Sequence, residues 1–198
     1  VFEFNATLLA HESMWGKITT SFFGSVTPRT AGFNTVDLRG LTLPTLMVYL
    51  LLMWIGASPG STGGGIKTTV AAVAFLNMKS IILGRKRTET HRSEISEASI
   101  NRAFAIIMLS LLILGVAVLL LSINDSEKGL LRLAFEAFSA FSTVGLTLGV
   151  TPELSLLGKL VIMATMFIGR VGALTLLLAF VSQAESLHYR YPKEEIMF

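Results

Sequence analysis

Two short loops hold the residues best placed to do chemistry, Thr30-Ala31-Gly32-Phe33 and Thr143-Val144-Gly145-Leu146. Neither carries a nucleophile beside a base, or a group of metal-binding side chains. What both offer is backbone. Glycine admits the positive-φ conformations that let successive carbonyls turn to one side. A monovalent cation such as K⁺ entering a narrow path must exchange its water for fixed oxygens, and carbonyls supply these without adding net charge. The short apolar segments before each loop, if helical, aim their partly negative C-terminal ends at the same place.

A third candidate is Gly56-Ala57-Ser58-Pro59-Gly60-Ser61-Thr62-Gly63-Gly64-Gly65. Five glycines and a proline in ten positions cannot continue a helix comfortably. Its start fits the G-x-S-x-G elbow of serine hydrolases. That elbow needs the N–H of the residue after the serine, and here the residue is Pro59, which has none. Gly60 to Thr68 approximates a P-loop, but Ile66 stands where the lysine is required. The three histidines, His11, His91 and His188, fall outside the apolar segments, and the chain has no cysteine. Hydrolase, nucleotide-binding and thiolate-metal chemistry are excluded, and the chain reads as no enzyme. Arg170, deep in an apolar segment, must face protein and find carboxylates or carbonyls, which 56–65 can offer. Lys67 is expected to snorkel to the inner surface. Arg132 and Glu136, four apart, are expected to pair locally.

Positioning these loops is the work of the surrounding elements. Charged residues are 15 % of the chain and hydrophobic ones 52 %, against about 25 % charged in soluble proteins. Residues 103–123 contain no ionisable side chain, enough to cross about 30 Å of hydrocarbon. Apolar runs also cover 41–55, 66–83, 130–142 and 154–181. A helix from 41 to 83 would be about 65 Å long, so 56–65 must interrupt it at membrane depth, where irregular backbone survives only against protein or water. The basic connector 84–102 is expected on the cytoplasmic side of a plasma or inner membrane, as is the C-terminal tail with His188, Arg190 and Lys193. Residues 1–4 resemble the end of an apolar helix, with no signal peptide. A fragment of a longer protein is therefore expected.

The chain also repeats itself. Shifted by 113 residues, Thr30 falls on Thr143, Gly32 on Gly145, and Met53-Trp54-Ile55-Gly56 on Met166-Phe167-Ile168-Gly169 without a gap. Such a repeat marks duplicated membrane units. Each unit reads as helix, short re-entrant helix, Gly turn and second helix. The expected fold class is an all-α membrane protein of helix–pore loop–helix repeats, the plan of potassium-channel subunits. The boundaries are 1–83 for one repeat, 84–102 for the connector, 103–184 for the next repeat and 185–198 for the tail.

Thr143-Val144-Gly145 matches the first three residues of the potassium-channel Thr-Val-Gly-Tyr-Gly signature, with Leu146-Thr147 in place of Tyr-Gly. More broadly, TPRTAGFN, GASPGSTGGGIKTT, AFSTVGLTLG and FIGRVG resemble the Trk/Ktr/HKT superfamily of potassium transporters, and within it the KtrB-type membrane subunits. The resemblance covers nearly the whole chain and implies four such repeats around a pseudo-fourfold, potassium-channel-like pore, two of the four being present here: the third, lacking most of its first helix, and the fourth. It implies that the two loops are filter segments binding K⁺, that 56–65 is the intramembrane gate loop, and that Arg170 contacts that loop. It further implies a pore subunit for K⁺ uptake, passive or Na⁺-assisted. The implied assembly is a homodimer on a ring of cytosolic nucleotide-binding regulatory subunits of KtrA/TrkA type, with no organic cofactor. An autonomous K⁺ or Na⁺ channel working without a regulator is the alternative. The filter segment that influences Na⁺ against K⁺ preference in plant relatives is absent from this chain.

Overall fold

The computed structural model describes residues 13–172 except 86, 91 and 92. Residues 1–4, the three histidines, the end of the apolar run beyond 172 and the tail 185–198 lie outside the described residues. The elements are α1 (Met14–Val26), α2 (Leu43–Trp54), α3 (Thr68–Ile82), a two-strand hairpin of β1 (Glu89–Thr90) and β2 (Ser93–Glu94), α4 (Glu97–Asn124), α5 (Leu130–Phe141) and α6 (Leu156–Val171). Single 3₁₀ turns occupy Leu38–Gly40, Ser126–Lys128 and Thr151–Glu153. The architecture is mostly helical, as the apolar runs require.

Helix α4, with 28 residues, is about 42 Å long. Among the described residues it alone is long and apolar enough to cross a membrane. It begins at Glu97, six residues before the uncharged run. The reason is a cap. The Ser96 hydroxyl accepts the Ser99 amide, and Glu97 lies in the first turn, where a carboxylate favours the helix dipole. The connector itself is not irregular, because β1 and β2 pair antiparallel, Glu89 opposite Glu94.

The interruption between α2 and α3 is closed at its neck. Ile55 and Ile66 form a parallel bridge, with the Gly56 amide donating to the Ile66 carbonyl at 2.8 Å and Ile66 to the Trp54 carbonyl at 3.1 Å. Helix α2 starts after Thr42 with Pro44 in its first turn, where a missing N–H costs nothing. Helix α6 starts after Ser155, whose hydroxyl accepts the Gly158 amide. These two starts are 113 residues apart, as are the 3₁₀ turns Leu38–Gly40 and Thr151–Glu153.

Helix α5 sits centrally, packed on α6, α4 and α2. Seven of its twelve residues are buried. One core cluster joins Tyr49 and Met53 of α2 to Phe135 of α5 and to Val144, Leu146 and Leu148 beyond it. A second joins Leu121, Leu133, Val150 and Ile162. Elsewhere apolar side chains face outward. Trp15, Ile82 and Leu156 are each about three-quarters exposed, and no residue of α1 is buried. Apolar surface on this scale suits lipid or neighbouring protein, not water.

Candidate functional site

The first loop is pinned by the residue that ends α1. The Thr27 carbonyl accepts the Ala31 and Gly32 amides at 3.2 Å each, and its hydroxyl donates to the Phe33 carbonyl at 2.6 Å. Thr27 is 3 % exposed, so this brace is shielded from competing water. Within the turn, Thr30 has φ +66° and Gly32 φ +72°. The second loop repeats the pattern, with Thr143 at φ +54° and Gly145 at φ +88°. It is tied back to α5, with Thr143 donating to the Ala140 carbonyl and Val144 to the Ser139 carbonyl. Threonine is a costly residue for left-handed backbone. Two such threonines, each two residues before a left-handed glycine and 113 residues apart, are the same local structure used twice.

The loops also meet. A Cβ on Gly32 would overlap the Val144 carbonyl oxygen and lie 3.7 Å from the Gly145 Cα. The Val144 and Leu146 side chains are buried behind the second loop. Among the described residues, none of the carbonyls of Thr30, Ala31, Gly32, Thr143, Val144, Gly145 and Leu146 accepts a hydrogen bond. Backbone oxygens left unpaired in a folded protein call for water or a ligand. The Phe33 carbonyl differs, since it is engaged by Thr27.

The segment 56–65 lies directly against both loops. The Gly64 amide donates to the Thr143 hydroxyl at 2.7 Å. A Cβ at Gly63 would stand 2.7 Å from Thr30 Cγ2, and one at Gly64 2.8 Å from Thr143 Cγ2. Side chains are thus excluded from both positions by the two threonines. Helix α6 closes in from the other side, where a Cβ at Gly169 would overlap the Phe141 carbonyl. That close approach brings Arg170 to the segment, and its guanidinium Nη1 donates to the Thr62 carbonyl.

Two expectations are corrected. Lys67 does not snorkel away; its ammonium donates to the Ser61 carbonyl at 3.3 Å and to the Gly63 carbonyl. The loop folds back over the start of α3 and offers its carbonyls to the ammonium. Arg132 and Glu136 do not pair. Arg132 is exposed, while Glu136 is 5 % exposed and accepts from the Thr147 hydroxyl, the Leu148 amide at 3.2 Å and the Thr151 hydroxyl at 2.7 Å. Helical spacing permits an i,i+4 pair, but burial turns Glu136 toward the chain that leaves the second loop. Asp125 went unread in the sequence. It accepts both the amide and hydroxyl of Ser155, tying the end of α4 to the start of α6.

Near the opposite end of the loop region, Lys128 and Glu153 form an ion pair at 2.8 Å. The Lys128 hydrogen bond, followed by its charge, holds the Glu153 carboxyl below the usual carboxylate value. The reciprocal bond to Glu153 raises Lys128.

A long apolar helix, a helix interrupted by a Gly-rich segment, and backbone turns with free carbonyls define an α-helical membrane protein built around polar backbone. A family model described as TrkH, cation transport protein, matches residues 2–189, and the chain belongs to this family. It is 38 % identical over 200 residues to the potassium/sodium uptake protein NtpJ of Enterococcus hirae, covering 98 % of this chain and 44 % of that protein. It is 41 % identical over 192 residues to the Ktr system potassium uptake protein B of Bacillus subtilis, covering 97 % and 43 %. The protein of that name from Vibrio alginolyticus is 38 % identical over 182 residues, covering 92 % and 40 %. The chain thus spans less than half the length of these curated relatives.

Proposed function

We propose that this chain supplies half of the ion path of a K⁺ uptake transporter. The carbonyls of residues 30–32 and 143–146 form two quarters of a selectivity filter, and 56–65 is a gate held against them. The observation that carries this reading is the Gly64–Thr143 hydrogen bond, which joins the Gly-rich segment to one of two matching turns with unused carbonyls. The names of the relatives, potassium/sodium and potassium uptake proteins, support the substrate class. In this reading residues 1–83 and 103–184 are the third and fourth pore repeats, and the other two lie in the rest of the same polypeptide. Connector and tail face the cytoplasm. They dock a ring of nucleotide-binding subunits of KtrA/TrkA type, and the full subunit forms a homodimer.

Movement is down the electrochemical gradient. A hydrated ion sheds water against carbonyls fixed in space, so selection needs no side-chain charge. Arg170 and Lys67 hold the carbonyls of Ser61, Thr62 and Gly63, keeping the gate in place until a partner displaces it. The test uses full-length protein in cells lacking other K⁺ uptake. Replacing Gly145 by serine in a left-handed position costs about 1–2 kcal/mol in backbone strain and should reduce the preference for K⁺ over Na⁺. Unchanged K⁺ and Na⁺ uptake would remove the second loop from the filter. Currents recorded with and without the cytosolic ring separate a regulated transporter from an autonomous channel.

A further inference from the structure

Residues 61–65 of the Gly-rich segment help to line a cavity of about 600 Å³, which also has Lys67, Arg102 and Arg170 in its lining. Among the described residues no carboxylate lines it. Lys67 and Arg170 each give hydrogen bonds to loop carbonyls, which satisfy some donors but neutralise no charge. The remaining donors are many, since an ammonium has three and a guanidinium five. Arg102 makes no hydrogen bond or ion pair among the described residues. Three cations on one cavity beside a cation path repel each other and the cargo. They need an anion.

Position narrows the anion. Arg102 immediately precedes the uncharged run 103–123 of α4, so by length it stands at the edge of the hydrocarbon, where lipid headgroups lie. Basic side chains at that level are the usual receivers of anionic headgroups, each contributing by charge. A planar guanidinium meets phosphate oxygens two at a time.

We propose that this cavity binds a phosphate-bearing anion, the headgroup of an anionic phospholipid or free phosphate, between Arg102 and the two cations that hold the Gly-rich loop. The anion offers Lys67 and Arg170 an alternative to the carbonyls of 61–63. Its occupancy therefore weakens the hold on the loop, a consequence that rests on the gate reading above, although binding itself does not.

The test uses full-length protein in phosphatidylcholine vesicles carrying spin-labelled phosphatidylglycerol. The motionally restricted lipid fraction reads binding without reference to transport. Losing one basic residue should weaken the association about fivefold, so Arg102→Gln should lower the restricted fraction and Arg102→Lys should largely restore it. Displacement of the label by inorganic phosphate assigns the site to free phosphate, and persistence assigns it to lipid. An equal restricted fraction in wild type and Arg102→Gln, with no phosphate displacement, overturns the proposal. Rubidium flux from the same vesicles is read separately. Binding that responds to Arg102 while flux does not keeps the site and rejects the gate reading.

Discussion

The Thr143 hydroxyl offers a quantitative test of how the Gly-rich segment is held. It is the acceptor for the Gly64 amide at 2.7 Å, and Gly64 is itself buried. Thr143→Val keeps the shape and the β-branch but removes the acceptor. The amide is then stranded against protein, at about 1–3 kcal/mol. The strained φ of residue 143 is common to both side chains, so it cancels. If the segment moves between held and released states, the released population should rise about 5- to 150-fold. Amide hydrogen exchange of the peptide spanning 56–65 in full-length protein reads that ratio directly. Rubidium flux should rise with it, up to the limit set by the open path. Thr143→Ser retains the oxygen and should behave like wild type. Exchange in Thr143→Val no faster than in Thr143→Ser would refute the claim that this bond holds the segment.

Other perturbations follow from the same geometry. Deleting residues 60–64 should raise cation flux in a folded full-length protein, and a folded deletion that conducts no faster would exclude a gate. Glu136→Gln weakens three hydrogen bonds to a buried carboxylate; it should lower the thermal unfolding midpoint by the equivalent of about 1–3 kcal/mol, whereas Arg132→Gln should not. For the Lys128–Glu153 pair, the folded carboxyl titrates below its ordinary value of 4.5. Its small stabilisation is therefore present above that value and lost as pH falls through the lower folded value. The raised Lys128 contributes below its ordinary value of 10.5 and stops contributing as pH rises through the higher folded value. Glu153→Gln should flatten the acid limb of a pH series of unfolding midpoints, and an unaltered limb would show the pair to be inert.

Much of the architecture was legible because it rests on composition and chain geometry. The uncharged run 103–123 demanded a spanning helix, and the glycines of 56–65 demanded an interruption. The 113-residue offset placed the two turns in equivalent positions. What was not legible depends on tertiary surroundings. Glu136 and Arg132 satisfy a helical pairing rule, yet burial of one face of α5 decides where the carboxylate points. Lys67 looked like a residue near a membrane edge because nothing in its local sequence reveals that the loop before it folds back. The start of α4 carries a local signal, Ser96 followed by Glu97, that lies outside the uncharged run. Positive φ at Thr30 and Thr143 could not be read from residue type, since threonine disfavours it.

In the proposed function the backbone oxygens of 30–32 and 143–146 coordinate the transported ion. The most direct measurement is a structure of the full-length protein soaked in rubidium or thallium, with the ion located by its anomalous scattering. Ion density is expected within direct coordination distance of the carbonyls around Gly32 and Gly145, on the side of 56–65 facing the two threonines. Density found elsewhere in the protein, with those carbonyls bonded only to protein, would contradict it.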